Sequence, residues 1–321
     1  MADYVNTLKS SLFIKSGAIL PIPDDGFIEQ TDEMVINPSP TMEEFKRISS
    51  KLGTTDSYVD TCHATLDHTL NTYMRSNDKS GIALDTIPEI GELLKTCGFD
   101  ESIAAGTGVT YTNSQAPKNS SAVANIDGWE YSMTDSLVGD LTITADIGKP
   151  LQASAKLSAF LDNEGVPTAV AAPTVALSDE GLVLMTCSDI VLVDGTAVAA
   201  DQITIAMGAE VSEMYALGDK GFSLDDYVIK VTATFFVENP NYADAIAKLN
   251  AQSVDTLDLK FGTDSTGALI DGKSIHITAG LAKASTYSDS AENSKIKRSF
   301  TYLLQGDASG QNIKIGYGTF V

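Results

Sequence analysis

The chain has 321 residues, 43 of them acidic and 21 basic, for a formal net charge of −22. That balance argues against a duplex-DNA binder, which needs Lys and Arg against phosphates, and against docking on an anionic membrane. With 43% hydrophobic and 20% charged residues, the composition is that of a globular protein with a sizeable core, and the length sets an expectation of two domains.

The opening "MADYVNTLKSSLFIKSGAIL" lacks a basic region followed by a long apolar run and a small-residue cleavage site, so no export signal is expected. No stretch approaches the ~18 apolar residues of a membrane-spanning helix. Cys62, Cys97 and Cys187 are odd in number and widely spaced, which reads as free thiols in a reducing cytoplasm.

Short alternating runs of Thr, Ser, Val, Ile and Ala, broken by Gly, Asp and Asn, predict a mainly β protein. In chain order the predicted strands are 11–20, 58–74, 110–112, 140–147, 153–161, 182–193, 202–208, 226–238, 256–261, 274–282, 298–305 and 312–320. A helix is predicted over 86–97, "TIPEIGELLKTC". Thr86 and Glu89 form a capping box, Pro88 sits in the first turn, and Gly98 marks the stop. Ile90, Leu93, Leu94 and Cys97 give it one apolar stripe. A second helix is predicted over 240–252, capped by Asn239, opened by Pro240 and buried through Tyr242, Ile246 and Leu249. A weaker helical pattern covers 42–52, while 21–57 and 75–85 are otherwise polar and loop-like.

Each half of the chain therefore reads strand, helix, strand, strand, strand, which points to an internal duplication. The boundary falls in 162–181, where small residues and two prolines resemble a linker, giving modules 1–165 and 166–321.

Chemical motifs are few. Gly267 to Ser274 satisfies G-x-x-x-x-G-K-[ST], a nucleotide-binding signature. A working loop of that kind opens a helix that receives the phosphates. Here Ile275, Ile277, Ala279 and Leu281 alternate with His276 and Thr278, so a strand is expected instead, with "DG" as its turn. Asp60, Cys62, His63, Asp67 and His68 lie close in sequence, but His63 and His68 share no face of a strand or helix, so no zinc site is expected. No G-x-S-x-G elbow is present. The pairs Asp24–Asp25 and Asp225–Asp226 flank turn-forming residues and read as solvated acids, and Trp129 reads as a packing anchor. The chain is expected to be no enzyme and to carry no cofactor or metal.

One segment carries a resemblance. "TIPEIGELLKTCGF", "VTYTNS" and "ANIDGWEYSMTDSLVGDLTITADIGKPLQASAKLSAFLDN" supply a helix ending through Pro88, Leu93, Leu94, Cys97 and Gly98. A D-G strand follows at Asp127 and Gly128, then a turn at Gly139, the Gly148/Pro150 pair, and Phe160 with Gly165. Over 86–163 this resembles the major tail tube protein of long-tailed bacteriophages, and the order of elements extends the likeness over most of the rest.

The resemblance implies two tandem tail-tube-type β-sandwich modules, each flanked by one α-helix, in a structural virion protein of the tail, assembled in the host cytoplasm. Its partners would be further copies of itself, a tape-measure protein, and tail terminator and tip proteins, with genome DNA passing through the lumen without specific binding. Three two-module chains would make a pseudo-sixfold ring, which is preferred; six chains would be needed if only one half lines the lumen. Along 140–147, Asp140, Thr142, Thr144 and Asp146 share one strand face, and Ser274, His276 and Thr278 are expected as their counterparts. These seven residues are expected to face the lumen as a slightly acidic lining that repels DNA. The solvent face of an ordinary sandwich is the alternative. Segment 39–57 is expected to contact a neighbouring subunit. The rival identities are the tube of a contractile tail, which shares the sandwich, an exported adhesin-type β-sandwich, and a nucleotide-using enzyme.

Overall fold

A computed structural model of the chain describes residues 10–17, 27–28, 30–36, 39–46, 55–76, 85–114, 118–173, 181–216, 219–238, 243–306 and 312–318. The alternating segments become strands β1 (Ser10–Ser16), β2 (Phe27–Ile28), β3 (Ser39–Lys46) and β4 (Thr55–Tyr73). Helix α1 (Gly91–Thr96) follows, then β5 (Phe99–Ala104), β6 (Gly108–Asn113), β7 (Ser120–Ile126), β8 (Trp129–Asp146), β9 (Gln152–Phe160) and β10 (Thr168–Ala169). The rest comprises β11 (Ile190–Val193), β12 (Thr196–Ala197), β13 (Ala200–Ala216), β14 (Asp219–Phe236), helix α2 (Asp244–Ala251), β15 (Val254–Phe261), β16 (Ile275–Glu292), β17 (Lys295–Leu304) and β18 (Lys314–Gly318).

The strand ladders define a central sheet in the order β3–β4–β9–β8–β13–β14–β17–β16, antiparallel throughout. A second layer is built in two parts. One runs β2–β1–β7–β8, with β10 on the far side of β8. The other runs β5–β6–β18–β16–β15–β11–β12. β8 and β16 therefore belong to both layers. Each pairs in the second layer through its first part and in the central sheet through its last part. Each carries a ladder irregularity where it changes role, at Gly139/Thr142 and at Ala284/Thr286. Bulges bend and twist a strand, which is what this change of layer requires; Asp140, inside the first irregularity, has φ 51°.

The central-sheet ladder order recurs. The hairpin β3/β4 pairs through β4 with β9, and β9 with β8. The hairpin β13/β14 pairs through β14 with β17, and β17 with β16. β13 also pairs with β8, from Gln202↔Asp146 to Met207↔Leu141, which joins the two sets.

Period-two burial fills the space between layers. Leu141, Ile143 and Ala145 are at most 1% exposed, whereas Thr142, Thr144 and Asp146 are half-buried. One core cluster runs from Leu12 and Leu70 through Leu157 and Ile205 to Leu259 and Tyr317. Immediately past the expected 165/166 boundary, β10 returns to β8 through Thr168↔Glu130 and Ala169↔Trp129, and the core cluster draws on residues from both sides of that boundary. At the β6–β18 rung Gly108↔Gly318, a Cβ on Gly108 would collide with the Tyr317 carbonyl, and one on Gly318 with Gly108 and the Thr107 carbonyl. Gly318 also sits at φ 112°, which L side chains avoid.

Several local expectations change. Residues 42–46 are not helical; they form the end of β3, paired with β4 from Thr41↔Asp60 to Lys46↔Thr55, and 47–52 lie outside the described residues. Helix α1 is shorter than 86–97, with Ile90 at its N-cap and no side-chain cap. Glu89 falls in the turn before the helix, and its carboxylate lies 3.6 Å from the buried Arg75 guanidinium. The α1 stripe is as expected, with Ile90, Leu93, Leu94 and Cys97 all buried. Glu92 tethers the helix to β1 by accepting from Ser16 N at 3.0 Å and Ser16 Oγ at 3.2 Å. Helix α2 starts at Asp244 with Ala243 at its N-cap, and Asn239, Pro240 and Tyr242 lie outside the described residues. Ile246, expected on its buried face, is 46% exposed, while Leu249 packs on the core. Asp225 and Asp226 lie within β14 and not at a turn, Asp225 opposite Glu210. The pair Asp24–Asp25 lies outside the described residues.

Candidate functional site

The polar face of the central sheet is a coherent feature that spans its strands. Directly paired residues on neighbouring strands project to the same face. Following one set of rungs from β4 to β16 gives Tyr73, Gln152, Thr144, Thr204, Thr232, Thr301 and Thr286 in a single row. A second row beside it runs Asp146, Gln202, Thr234, Ser299 and Ser288. A third, on the other side, runs Asn71, Ser154, Thr142, Ala206, Lys230, Leu303 and Lys283. Hydroxyls pair across strands: Thr232 Oγ1 and Thr301 Oγ1 lie 3.0 Å apart, as do Thr234 Oγ1 and Ser299 Oγ.

Lys230 and Lys283 are the cations of the third row, and several other charges on and beside this face are matched. Asp146 accepts from Gln202 Nε2 at 2.8 Å and from Lys149 Nζ at 3.0 Å. Lys156 lies 3.2 Å from Asp67, and Lys297 lies 2.6 Å from Asp201 and 2.9 Å from Glu292. The seven-residue row is neutral, built of hydroxyl and amide groups, and Asp146 stands in the row beside it.

The expected lumen residues fall in three places. Thr142, Thr144 and Asp146 lie in the rows. Asp140 is exposed at the β8 irregularity. His276 and Thr278 lie half-buried on the first part of β16, which pairs with β15 and β18 and not with the row strands. His276 Nε2 is 2.6 Å from Asp258 Oδ1. Ser274 is 1% exposed; its hydroxyl accepts from Ile270 N at 2.7 Å and donates to Gly262 O at 2.8 Å. Sequence reading missed Tyr73, Gln152, Thr204, Thr232, Thr301 and Thr286. Threonines alternating with apolar residues in "QITIAM", "KVTATF" and "SFTYLL" are the local signal that marks three of them, Thr204, Thr232 and Thr301.

The nucleotide-type loop has a different occupation. Strand β16, not a helix, follows Ser274. The amides of Thr266 and Ala268 and the Thr266 hydroxyl all donate to Asp264 Oδ1, at 2.8, 3.0 and 2.7 Å. The Thr266 hydroxyl first, then these amides, hold the Asp264 carboxyl below its ordinary range. Within the motif itself the Ala268 amide is turned onto Asp264, the Ile270 amide onto Ser274 Oγ, the Gly272 amide onto Gly318 O and the Ser274 amide onto Ile270 O, so these donors are not open to a phosphate.

Elsewhere, the side chains of Asp60, Cys62 and His63 lie outside the described residues. His68 Nε2 is 3.1 Å from Gln30 Oε1, and burial lowers its pKa. No group of three or more His, Cys, Asp or Glu placed to hold a metal occurs among the described residues. Cys97 is buried, which pushes its thiol pKa well up, while Cys187 is exposed. Trp129 is 42% exposed at the β7–β8 turn, where it borders an apolar hollow with Met34, Val35, Ile36, Tyr131 and Pro167. Among the described residues no helix is long and apolar enough to cross a membrane.

The chain matches no protein-family model, and no curated protein shows significant similarity to it.

Proposed function

We propose that this chain is a self-assembling structural protein whose central sheets join into rings that stack as a phage tail tube, the conduit for genome DNA. The single observation that carries the proposal is the neutral row from Tyr73 to Thr286, unbroken across seven strands of one sheet. The resemblance over 86–163 supplies the family. The recurring ladder order supports two tandem tube modules, 1–165 and 166–321, with α1 and α2 as their flanking helices.

Geometry favours three chains per ring. Eight central-sheet strands per chain make a barrel of about 24 strands. At ~4.8 Å spacing and ~40° tilt its backbone is about 48 Å across. Side chains narrow this by roughly 10 Å, leaving room for a DNA duplex. Six such chains would double the width.

The seven-residue row offers phosphates only uncharged hydroxyl and amide groups, and with Lys156, Lys230 and Lys283 as the cations beside it DNA would make few counterion-releasing contacts. The net charge of −22 adds a diffuse repulsion that reaches about one Debye length, ~8–10 Å. Segment 39–57 would brace the neighbouring subunit, and tape-measure, terminator and tip proteins would be the heterologous partners of the virion tail. No catalytic role is proposed. Negative-stain electron microscopy of the concentrated protein tests this: hollow rings or tubes are expected, and uniform monomers at every concentration would count against it.

A further inference from the structure

The central sheet has two open ends, and the joint inside the chain specifies how they meet. On one side β8 carries β7 along Trp129–Ser136, then β13 along Leu141–Asp146; on its other side it carries β9. β16 is built alike. It carries β15 along Ile275–Lys283 on one side and β17 along Ala282–Glu292 on the other. Beyond Lys283, however, the side that β15 leaves has no strand on it among the described residues. The seat of β13 on β8 begins five residues past the last β7 rung, at Leu141. Five residues past the last β15 rung is Ser288. Ser285, Thr286 and Ser288 through Glu292 are all exposed. This is a long, proline-free edge of the kind that proteins normally cover or pair.

At the opposite end of the same sheet stands the stretch Thr31–Ile36 that leads into β3. Two points tie this part of the chain to β4, the bond from Thr31 N to Asn71 O, 2.8 Å, and the rung Ser39↔Thr65. It stands to β4 as β13 stands to β14, because in each case the second strand carries the ladder to the next, β9 or β17. β3 has β4 as its ladder partner among the described residues, and Val35 is 53% exposed.

We infer that Thr31–Ile36 and the start of β3 of one copy add antiparallel to β16 at Ser288–Glu292 of the next copy, repeating the β13–β8 joint between chains. The contact is head-to-tail, so it leaves each copy with one edge of each kind and propagates until the ring closes. This inference rests on the tandem-module proposal above but names the strands that it leaves open.

The test is disulfide trapping in the full chain on a Cys62→Ser, Cys187→Ser background. One protein carries Val35→Cys and a second carries Ser288→Cys, Ser290→Cys or Glu292→Cys. Mild oxidation of the mixture is expected to give a covalent dimer with Ser290→Cys or Glu292→Cys, absent from either protein alone. A dimer of the Ser290→Cys protein by itself would overturn the inference in favour of a β16–β16 contact. Rings in micrographs without the mixed disulfide would overturn the strand assignment and leave the tube proposal standing. The mixed disulfide without rings would support the joint and count against closure. Neither rings nor disulfide would overturn both.

Discussion

Thr232 on β14 and Thr301 on β17 face each other with hydroxyl oxygens 3.0 Å apart, toward the β16 end of the seven-residue row. Threonine suits this position twice over. Its β-branch favours a pleated strand, and its hydroxyl satisfies a neighbour without adding charge. A valine at either position would keep the strand and lose the polar contact, at a cost of about 1 kcal/mol or less. The arrangement concerns the character of a surface more than the stability of the fold.

Charge on that surface is the first thing to change. Thr144→Arg is expected to leave the fold intact, since Thr144 is half-buried on the polar face. It places an unmatched cation in the row. Assembled material carrying it should retain DNA fragments in a salt-dependent way, with retention falling steeply as salt rises, and more than the unaltered protein retains at each salt concentration. Filter retention at several salt concentrations reads this out.

The β6–β18 contact is a packing test. Gly318→Ala would force a Cβ against Gly108 at a positive φ, and Gly108→Ala would press on Tyr317. Either is expected to cost at least ~2 kcal/mol, combining overpacking with backbone strain. Urea unfolding should show a lower midpoint with an unchanged slope.

Acid should weaken one corner of the central sheet. Arg298, 3% exposed, donates through Nε and Nη2 to Asp289 at 2.7 and 2.9 Å and stacks on Tyr287. The Arg298 hydrogen bond holds the Asp289 carboxyl below its ordinary range. A depressed carboxyl favours the folded state fully above its unfolded value of about 4, and that contribution is lost as pH falls through the folded value. Thermal denaturation between pH 7 and pH 3 should therefore lose less stability in Asp289→Asn than in the parent, with Asp289→Asn about 1 kcal/mol less stable at pH 7.

The Gly267–Ser274 loop should ignore nucleotides. Its amides are already committed, Ala268 N to Asp264, Gly272 N to Gly318 O and Ser274 N to Ile270 O, and the Ser274 hydroxyl is held between Ile270 and Gly262. Magnesium ATP at millimolar concentration is expected to leave the melting temperature unchanged, in the parent and in Lys273→Ala alike. A saturable rise in the parent that Lys273→Ala abolishes would contradict this.

Much of the strand content is legible because alternation is a local property: Leu141, Ile143 and Ala145 against Thr142 and Thr144 needs no partner to be read. What fails is what partners decide. Met42 and Phe45 have helical spacing, yet residues 41–46 are held extended by β4, because ladder pairing outweighs weak helix propensity. Thr86 and Glu89 have the spacing of a capping box, but the buried Arg75 guanidinium needs a carboxylate more than an amide end does, and it claims Glu89. Ser274 keeps step with His276 and Thr278 in sequence, but the turn before β16 folds its hydroxyl inward. The row itself depends on register between strands as far apart as Tyr73 and Thr286, which no window of sequence contains.

The most direct measurement is a cryo-electron microscopy map of the assembled protein at side-chain resolution. The proposal predicts rings of three chains with Thr144, Thr204, Thr232 and Thr301 on the wall of a continuous lumen. Rings in which these four residues face outward, or a lumen walled by other strands, would contradict it.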